Sequence, residues 1–485
     1  MENGTEITTP HIAMLATPGM GHLIPLAELA KLLVSKHGFT ATLMTFASTA
    51  SKTQQAFLSS LPSSISHVSL PPVSLSDLPP GAALETLISL EAVRLIQAIT
   101  SALKELKTRH NVVGFVSDLF GADTFDAARD AGLRSYLFFP TNLLTLSLML
   151  HLPEIDANLT CDFKELAEPV QLPGCVPIPG TEILSPLQDR SNECYKWMVH
   201  HGKKYREADA ILVNSFDEIE PDVAKILCQP EPGRPPVYPI GPLIQTGSTA
   251  DKEGRAECLD WLDKQPANSV LYVSFGSGGT LTKEQMDEIA HGLELSGQRF
   301  LWVVRSPSGA GDLSSNYYDA ESKRDPFAFL PEGFRERTKE RGMVVSSWAP
   351  QMKVLAHEAT GGYVCHCGWN STLETVMHGV PIIAWPLFAE QKQNAVMLSE
   401  GAGIALRLEK REDDVVEREE IARKVRELME GEEGKRVRRK VTELKEAAAE
   451  GMKEGSSSMA LARWWRCGGK VVVGVKDADE VMICG

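Results

Sequence analysis

Short apolar runs alternate with longer amphipathic ones along this chain, and the alternation comes in two series. In the first, residues 11–17 predict a strand, and residues 24–36 a helix with Leu29, Leu32 and Leu33 on one face and Gly38 as its stop. Further strands are expected at 41–46, 112–117, 135–139 and, closing the series, 210–214, with a helix over about 121–130. The second series reads as strands at 270–275, 300–305, 342–346, 362–365, 381–385 and 403–408, with a helix at 283–296. Charged helices of alternating sign from 417 to about 450 predict solvent-facing surfaces. A last helix is expected over 456–466, with Trp464 and Trp465 available to pack across a domain boundary. Strand–helix alternation of this kind implies an α/β protein built on parallel sheets with helices on both faces.

At 485 residues the chain is too long for one core. A Pro-rich stretch at 230–242 runs into a polar, Gly/Ser-containing segment at 243–251, the expected linker. The organisation predicted is a first domain over 1–242, a linker over 243–255, a second domain over 256–455, and a tail over 456–485 that packs back toward the first domain. Residues 306–325 are polar and Gly/Ser-rich and predict a mobile loop.

Composition narrows the partners. A hydrophobic content of 43% and a charged content of 23% are those of a soluble globular protein. The formal net charge of −15 argues against nucleic acid or an anionic membrane as partner. It also requires any phosphate site to be built locally from dipoles and hydrogen-bond donors. The N-terminus lacks a signal pattern, and the most apolar stretch, 136–152, is broken by Pro140 and Asn142, so it reads as a buried strand feeding a helix. Nine cysteines without a CxxC pair suit reduced thiols and a cytoplasmic location. Cys365, His366 and Cys367 tempt a metal reading, but neighbours on an extended backbone point to opposite faces and would not converge on one ion.

The densest chemistry lies in residues 348–391. His366 stands in a Gly-rich turn, Trp369, Asn370 and Ser371 stand where a helix should begin, and Glu390 and Gln391 follow a second strand. A helix start carries about half a positive charge and spare N–H donors, which suits phosphate. A carboxylate–amide pair beyond it suits neighbouring sugar hydroxyls. The residues themselves thus describe a site for a phosphorylated sugar. In the first half, His22 follows the first strand at the start of a helix, where a neutral imidazole able to accept a proton is favoured. Asp118 ends another strand of the same sheet. The pair serves equally well as a base with its orienting carboxylate or as two helix caps. Gly19-x-Gly21 after a strand raises a rival, the dinucleotide-binding oxidoreductase. Ile24 replaces its third glycine, however, and Thr45-Phe46-Ala47 offers no acid for a ribose.

This 44-residue segment resembles the C-terminal box of plant family 1 UDP-dependent glycosyltransferases, which attach a sugar to small lipophilic acceptors. Trp348, Ala349, Pro350, Gln351, His366, Cys367, Gly368, Trp369, Asn370, Ser371, Glu374, Glu390 and Gln391 all stand where that box has them; Cys365 fills a slot that often holds a hydroxyl or aliphatic residue. The resemblance implies the GT-B fold, two Rossmann-like domains facing across a cleft. It assigns His22 as the base and Asp118 as its orienting partner. It implies that Trp348 stacks on uracil, with Ala349 and Gln351 at its edge, and that Glu374 takes the ribose hydroxyls. His366, Ser277, Asn370 and Ser371 would hold the diphosphate without a metal. Trp369, Glu390 and Gln391 would hold the hexose, with Thr141 reaching it from the first domain.

For the acceptor, the apolar stretch 87–95, Glu85, Phe120, Leu143 and Leu144 are candidates, with Ala389 beside the sugar; an ordinary amphipathic helix face accounts for any one of them equally well. Within the family the chain looks most like enzymes that glucosylate simple phenols, including hydroquinone-type acceptors. The expected reaction is inverting transfer of glucose from UDP-glucose to a phenolic hydroxyl by a monomer with no cofactor. Transfer to nitrogen, sulfur or carbon by the same site is the alternative, and a sugar-nucleotide sensor without turnover is the rival from another class.

Overall fold

The computed structural model describes residues 9–79, 81–245, 255–276, 278–307, 325–453, 460 and 464. Its first sheet is built from β1 (Pro10–Leu15), β2 (Thr40–Phe46), β3 (Ile65–Leu70), β4 (Asn111–Asp118), β5 (Ser135–Phe139), β6 (Ala210–Val213) and β7 (Val237–Pro239). All neighbours are parallel, in the order β3-β2-β1-β4-β5-β6-β7. The second sheet comprises β8 (Val270–Ser274), β9 (Arg299–Val304), β10 (Gly342–Ser346), β11 (Thr360–Cys365), β12 (Ile382–Ala384) and β13 (Ala405–Arg407). It is also parallel, in the order β10-β9-β8-β11-β12-β13. Parallel strands are covered by helices on both faces, so they read as continuous apolar runs, and β5 and β8 are buried at every position.

Two strands were not anticipated. In β3 only Ile65 and Leu70 are buried, because the strand lies at the edge of its sheet and its middle is polar. β7 lies at the opposite edge, inside the Pro-rich stretch read as the approach to the linker; an edge is where a sheet tolerates proline. The series therefore closes at β7 and not at 210–214. The helix expected over about 121–130 is split into a 3₁₀ helix, Leu119–Thr124, and an α-helix, Phe125–Asp130. Thr124 Oγ1 donates to Gly121 O at 2.6 Å across that turn. The expected linker and the loop at 306–325 fall largely outside the described residues, as do Trp465 and most of the last helix. Trp464 lies in the first domain's core, edge-on to Tyr136 with ring centroids 5.0 Å apart.

Each sheet reverses its strand order once, between β1 and β4 in the first and between β8 and β11 in the second. Ligands of such sheets bind beyond the carboxyl ends of the strands at that switch point. His22 and Asp118 come off one switch point, and Gly276 and His366 off the other.

Candidate active site

The two switch points border one cavity of about 860 Å³. On the first-domain side, Gly19 has φ 120°, a backbone angle suited to glycine, and turns the chain from β1 into helix Met20–His37. Its carbonyl accepts from His22 N and Leu23 N, each at 3.1 Å. The turn sets His22 in the first turn of the helix, lining the cavity. Because Leu15 pairs with Ser117, Asp118 emerges on the same edge. Asp118 Oδ2 lies 3.1 Å from His22 Nδ1, and Asp118 is fully buried. Thr17 fixes the carboxylate from behind, with N donating at 2.9 Å and Oγ1 at 2.7 Å. A carboxylate so held fixes the imidazole tautomer, with Nδ1 as donor and Nε2 as acceptor.

On the second-domain side, His366 follows β11 and lines the cavity, while Cys365 and Cys367 on either side are buried. The imidazole sits between two glycines. A Cβ on Gly276 would lie 2.6 Å from His366 Cε1, and one on Gly368 would lie 2.5 Å from Nε2. Gly276 also has φ 73°. Helix Trp369–His378 then begins at Gly368 without a side-chain cap, so its first-turn N–H groups are available to an anion. Gln351 is fixed on three sides: Nε2 donates to Ser371 Oγ at 2.9 Å and to Glu374 Oε2 at 2.6 Å, and Oε1 accepts from Tyr363 OH at 3.1 Å. Burial pushes the Glu374 carboxyl up to about 7. Trp348 lines the cavity and keeps 45% of its surface exposed.

At the cavity end nearest both domains, Gln391 Oε1 accepts from Leu387 N at 2.9 Å and Phe388 N at 3.1 Å. Its amide nitrogen is thereby left to donate. Glu390 lines the cavity beside it, and burial raises its carboxyl above the ordinary range. Trp369 donates its indole N–H to Asn214 O at 2.6 Å, and Asn370 Nδ2 donates to Gly21 O at 3.0 Å. Both bonds cross between the domains. Thr141 lines the cavity from the first domain, its buried Oγ1 without a hydrogen-bond partner among the described residues.

A family model described as UDP-glucoronosyl and UDP-glucosyl transferase matches residues 238–441. UDP-glycosyltransferase 72B1 of Arabidopsis thaliana is 53% identical over 461 residues, which cover 94% of this chain and 96% of the relative. The chain belongs to the plant family 1 UDP-glycosyltransferases. The hydroquinone glucosyltransferase of Rauvolfia serpentina is 49% identical over 456 residues, 94% of this chain and 97% of the relative. The structure of Phytolacca americana UGT2 complexed with UDP-2fluoro-glucose and pterostilbene matches with a TM-score of 0.86 at 45% identity, covering 95% of this chain and 99% of that one. This glycosyltransferase accordingly has the GT-B architecture of its structural neighbours.

Of the residues singled out in the glycosyltransferase sequence, Trp348, Ala349, Gln351, His366, Trp369, Asn370, Ser371, Glu374, Glu390 and Gln391 all line the cavity, with Thr141 and His22 opposite. Ser277 lies outside the described residues. Glu85, Phe120 and Ala389 also line it, and the Phe120 ring centroid is 5.6 Å from that of His22. Leu144 is a correction: it is fully buried in the core and not among the cavity-lining residues. Its amide donates to Glu220 Oε1 at 2.8 Å, and Leu143, likewise buried, donates to Oε2 at 2.9 Å. Thr145 and Met149, one and five residues beyond Leu144 on that helix, line the cavity instead. Sequence reading missed Thr17 as the clamp on Asp118 and Tyr363 as the clamp on Gln351; Thr17 had a signal, since it directly precedes the Pro18-Gly19 turn.

Proposed function

We propose that this glycosyltransferase transfers glucose from UDP-glucose to a hydroxyl of a small phenolic acceptor, inverting the anomeric carbon to give a β-glucoside. The observation that carries the reading is His22, held by Asp118 at 3.1 Å, in the same cavity as His366 and the start of helix Trp369–His378. His22 Nε2 takes the proton as the phenolic oxygen attacks the anomeric carbon; the bond to the diphosphate breaks on the opposite face, and UDP leaves. His366, Asn370, Ser371 and the helix N–H groups take up the negative charge that develops on the leaving oxygen. Glu374 binds the ribose, Trp348 the uracil, and Trp369, Glu390 and Gln391 the hexose. Ile88, Phe120, Leu184 and Met198 line the acceptor side of the cavity and match an aromatic ring in character. The same reading takes the enzyme as a cytoplasmic monomer, in keeping with free thiols at all seven described cysteines.

The test is incubation with UDP-glucose and a panel of phenols that includes hydroquinone. Hexose addition is read by mass and anomeric configuration by proton NMR. The reading expects a β-glucoside; an α-glucoside, or no transfer to any phenol, would overturn it.

A further inference from the structure

Two fully buried amides join the halves of the cleft. Asn142 follows the cavity-lining Thr141 and caps helix Leu143–Asn158, its Oδ1 accepting from Thr145 N at 2.8 Å. Its Nδ2 donates to Asn394 Oδ1 in the other domain at 2.7 Å. Asn394 Nδ2 in turn donates to Cys367 O at 2.9 Å, and it lies 3.5 Å from Glu390 Oε1. Cys367 is the residue after His366 and holds a positive φ of 63°, strained for a side chain. The ends of this chain fix its direction. An amide N–H, that of Thr145, can only donate, and a carbonyl, that of Cys367, can only accept. Each Asn therefore has one orientation that satisfies all its bonds.

We propose that Asn142 and Asn394 are positioning residues for glycosyl transfer, their amide–amide bond holding the base-bearing domain in register with the loops that grip the donor's sugar and diphosphate. Neither side chain lines the cavity, so both act through their neighbours. The surrounding contacts run the same way. Gln393 Nε2 donates to Thr145 Oγ1 at 2.6 Å, and its Oε1 accepts from Leu184 N at 3.0 Å. Ala389, at φ 55°, gives its carbonyl to Ser185 N at 3.0 Å and Ser185 Oγ at 3.1 Å. The loop that presents Glu390 and Gln391 is thus held from the first domain. The nucleoside-facing residues Trp348, Gln351 and Glu374 belong to the second domain alone. Loss of the Asn142–Asn394 bond is a loss of alignment between nucleophile and anomeric carbon, and it leaves the UDP contacts in place. The inference rests on the proposed transfer chemistry.

The test uses the full-length enzyme and an acceptor that the unmodified enzyme glucosylates. Failure of the phenol reading then shows in the unmodified enzyme, and failure of this inference only in the variants. Asn142→Asp keeps the Thr145 cap but sets an oxygen against Asn394 Oδ1; Asn394→Asp sets one against Cys367 O. Each should lower kcat about tenfold or more while KM for UDP-glucose stays within about twofold. UDP binding by calorimetry should remain stoichiometric with the chain. The Asn142→Ala/Asn394→Ala double variant should lose less than the two single losses combined, because both delete the shared amide–amide bond. Values of kcat within about twofold of the unmodified enzyme for both Asp variants would overturn the proposal. So would additive losses in the double variant, or a kcat loss matched by an equal loss of UDP-binding stoichiometry.

Discussion

On the proposed reading one wall of the cleft takes the donor and the other the acceptor, and the two are built in opposite ways. The donor wall comes from one stretch of chain, 348–391, and several of its polar groups are already held within it: Gln351 by Ser371, Glu374 and Tyr363, and Gln391 by two backbone amides. The acceptor wall is gathered from separated segments around His22, Glu85, Phe120, Thr145, Leu184 and Met198, and is largely apolar. A site that must hold a fixed ligand, UDP, is pre-organised by directional bonds. One that takes aromatic rings is shaped by packing, which adapts to different acceptors with little energetic contrast. The contrast predicts large, specific effects for changes at the reacting centre and the donor wall, and small, graded ones for changes on the acceptor wall.

The largest effect is expected where the walls meet. His22→Ala should cut turnover with an un-ionised phenol by about 10² to 10⁴-fold while calorimetric UDP affinity survives. Asp118→Asn should lose less in the same steady-state assay, since the base itself remains. On the donor wall, Gln391 Oε1 is taken by two backbone amides, so in the proposed role it meets the hexose through its amide N–H₂. UDP-glucose should therefore outperform UDP-galactose by about tenfold to a hundredfold in kcat/KM, and Gln391→His should narrow that gap. Equal specificity constants for the two donors in the unmodified enzyme would contradict the assignment.

Glu374 supplies a pH test of the same wall. Burial raises its carboxyl from 4.5 to about 7, so the free enzyme holds the carboxylate above that pH and the acid below it. On the proposed reading the ribose hydroxyls donate to the carboxylate. UDP affinity should be flat above about pH 8 and weaken by up to about tenfold per pH unit as pH falls through 7. In Glu374→Gln, calorimetry should find that dependence flattened. The smallest effect belongs to the acceptor wall: Ile88→Ala should change acceptor KM by about threefold to tenfold, in a direction that varies with ring size, and leave donor KM unaltered. A donor KM change as large as the acceptor's would break the division between the walls.

The same contrast decided how much was legible in the sequence. The donor wall follows strand–turn–helix units that are local in the chain, so their residue types and spacing reveal them. His22 and Asp118 were legible for a related reason, since parallel strands deliver their carboxyl ends to one edge of a sheet. The acceptor wall depends on tertiary packing. Helix Leu143–Asn158 is apolar nearly all round, so nothing in its pattern distinguishes the buried Leu144 from the cavity-lining Met149. The clamp of Thr17 on Asp118 and the Asn142–Asn394 bond join residues distant in sequence. Edge strands β3 and β7 escaped because one is polar in its middle and the other is three residues long and ends in proline.

The central claim, that His22 removes the acceptor's proton, is tested most directly by comparing kcat/KM of the unmodified enzyme and His22→Ala on two phenols of similar size. One is 4-methoxyphenol, un-ionised at mildly alkaline pH, and the other is 4-nitrophenol, largely ionised there. Loss of a base should fall heavily on the first and be largely relieved on the second, which reaches the site already deprotonated. Equal losses on both phenols, or no loss on the first, would contradict the account.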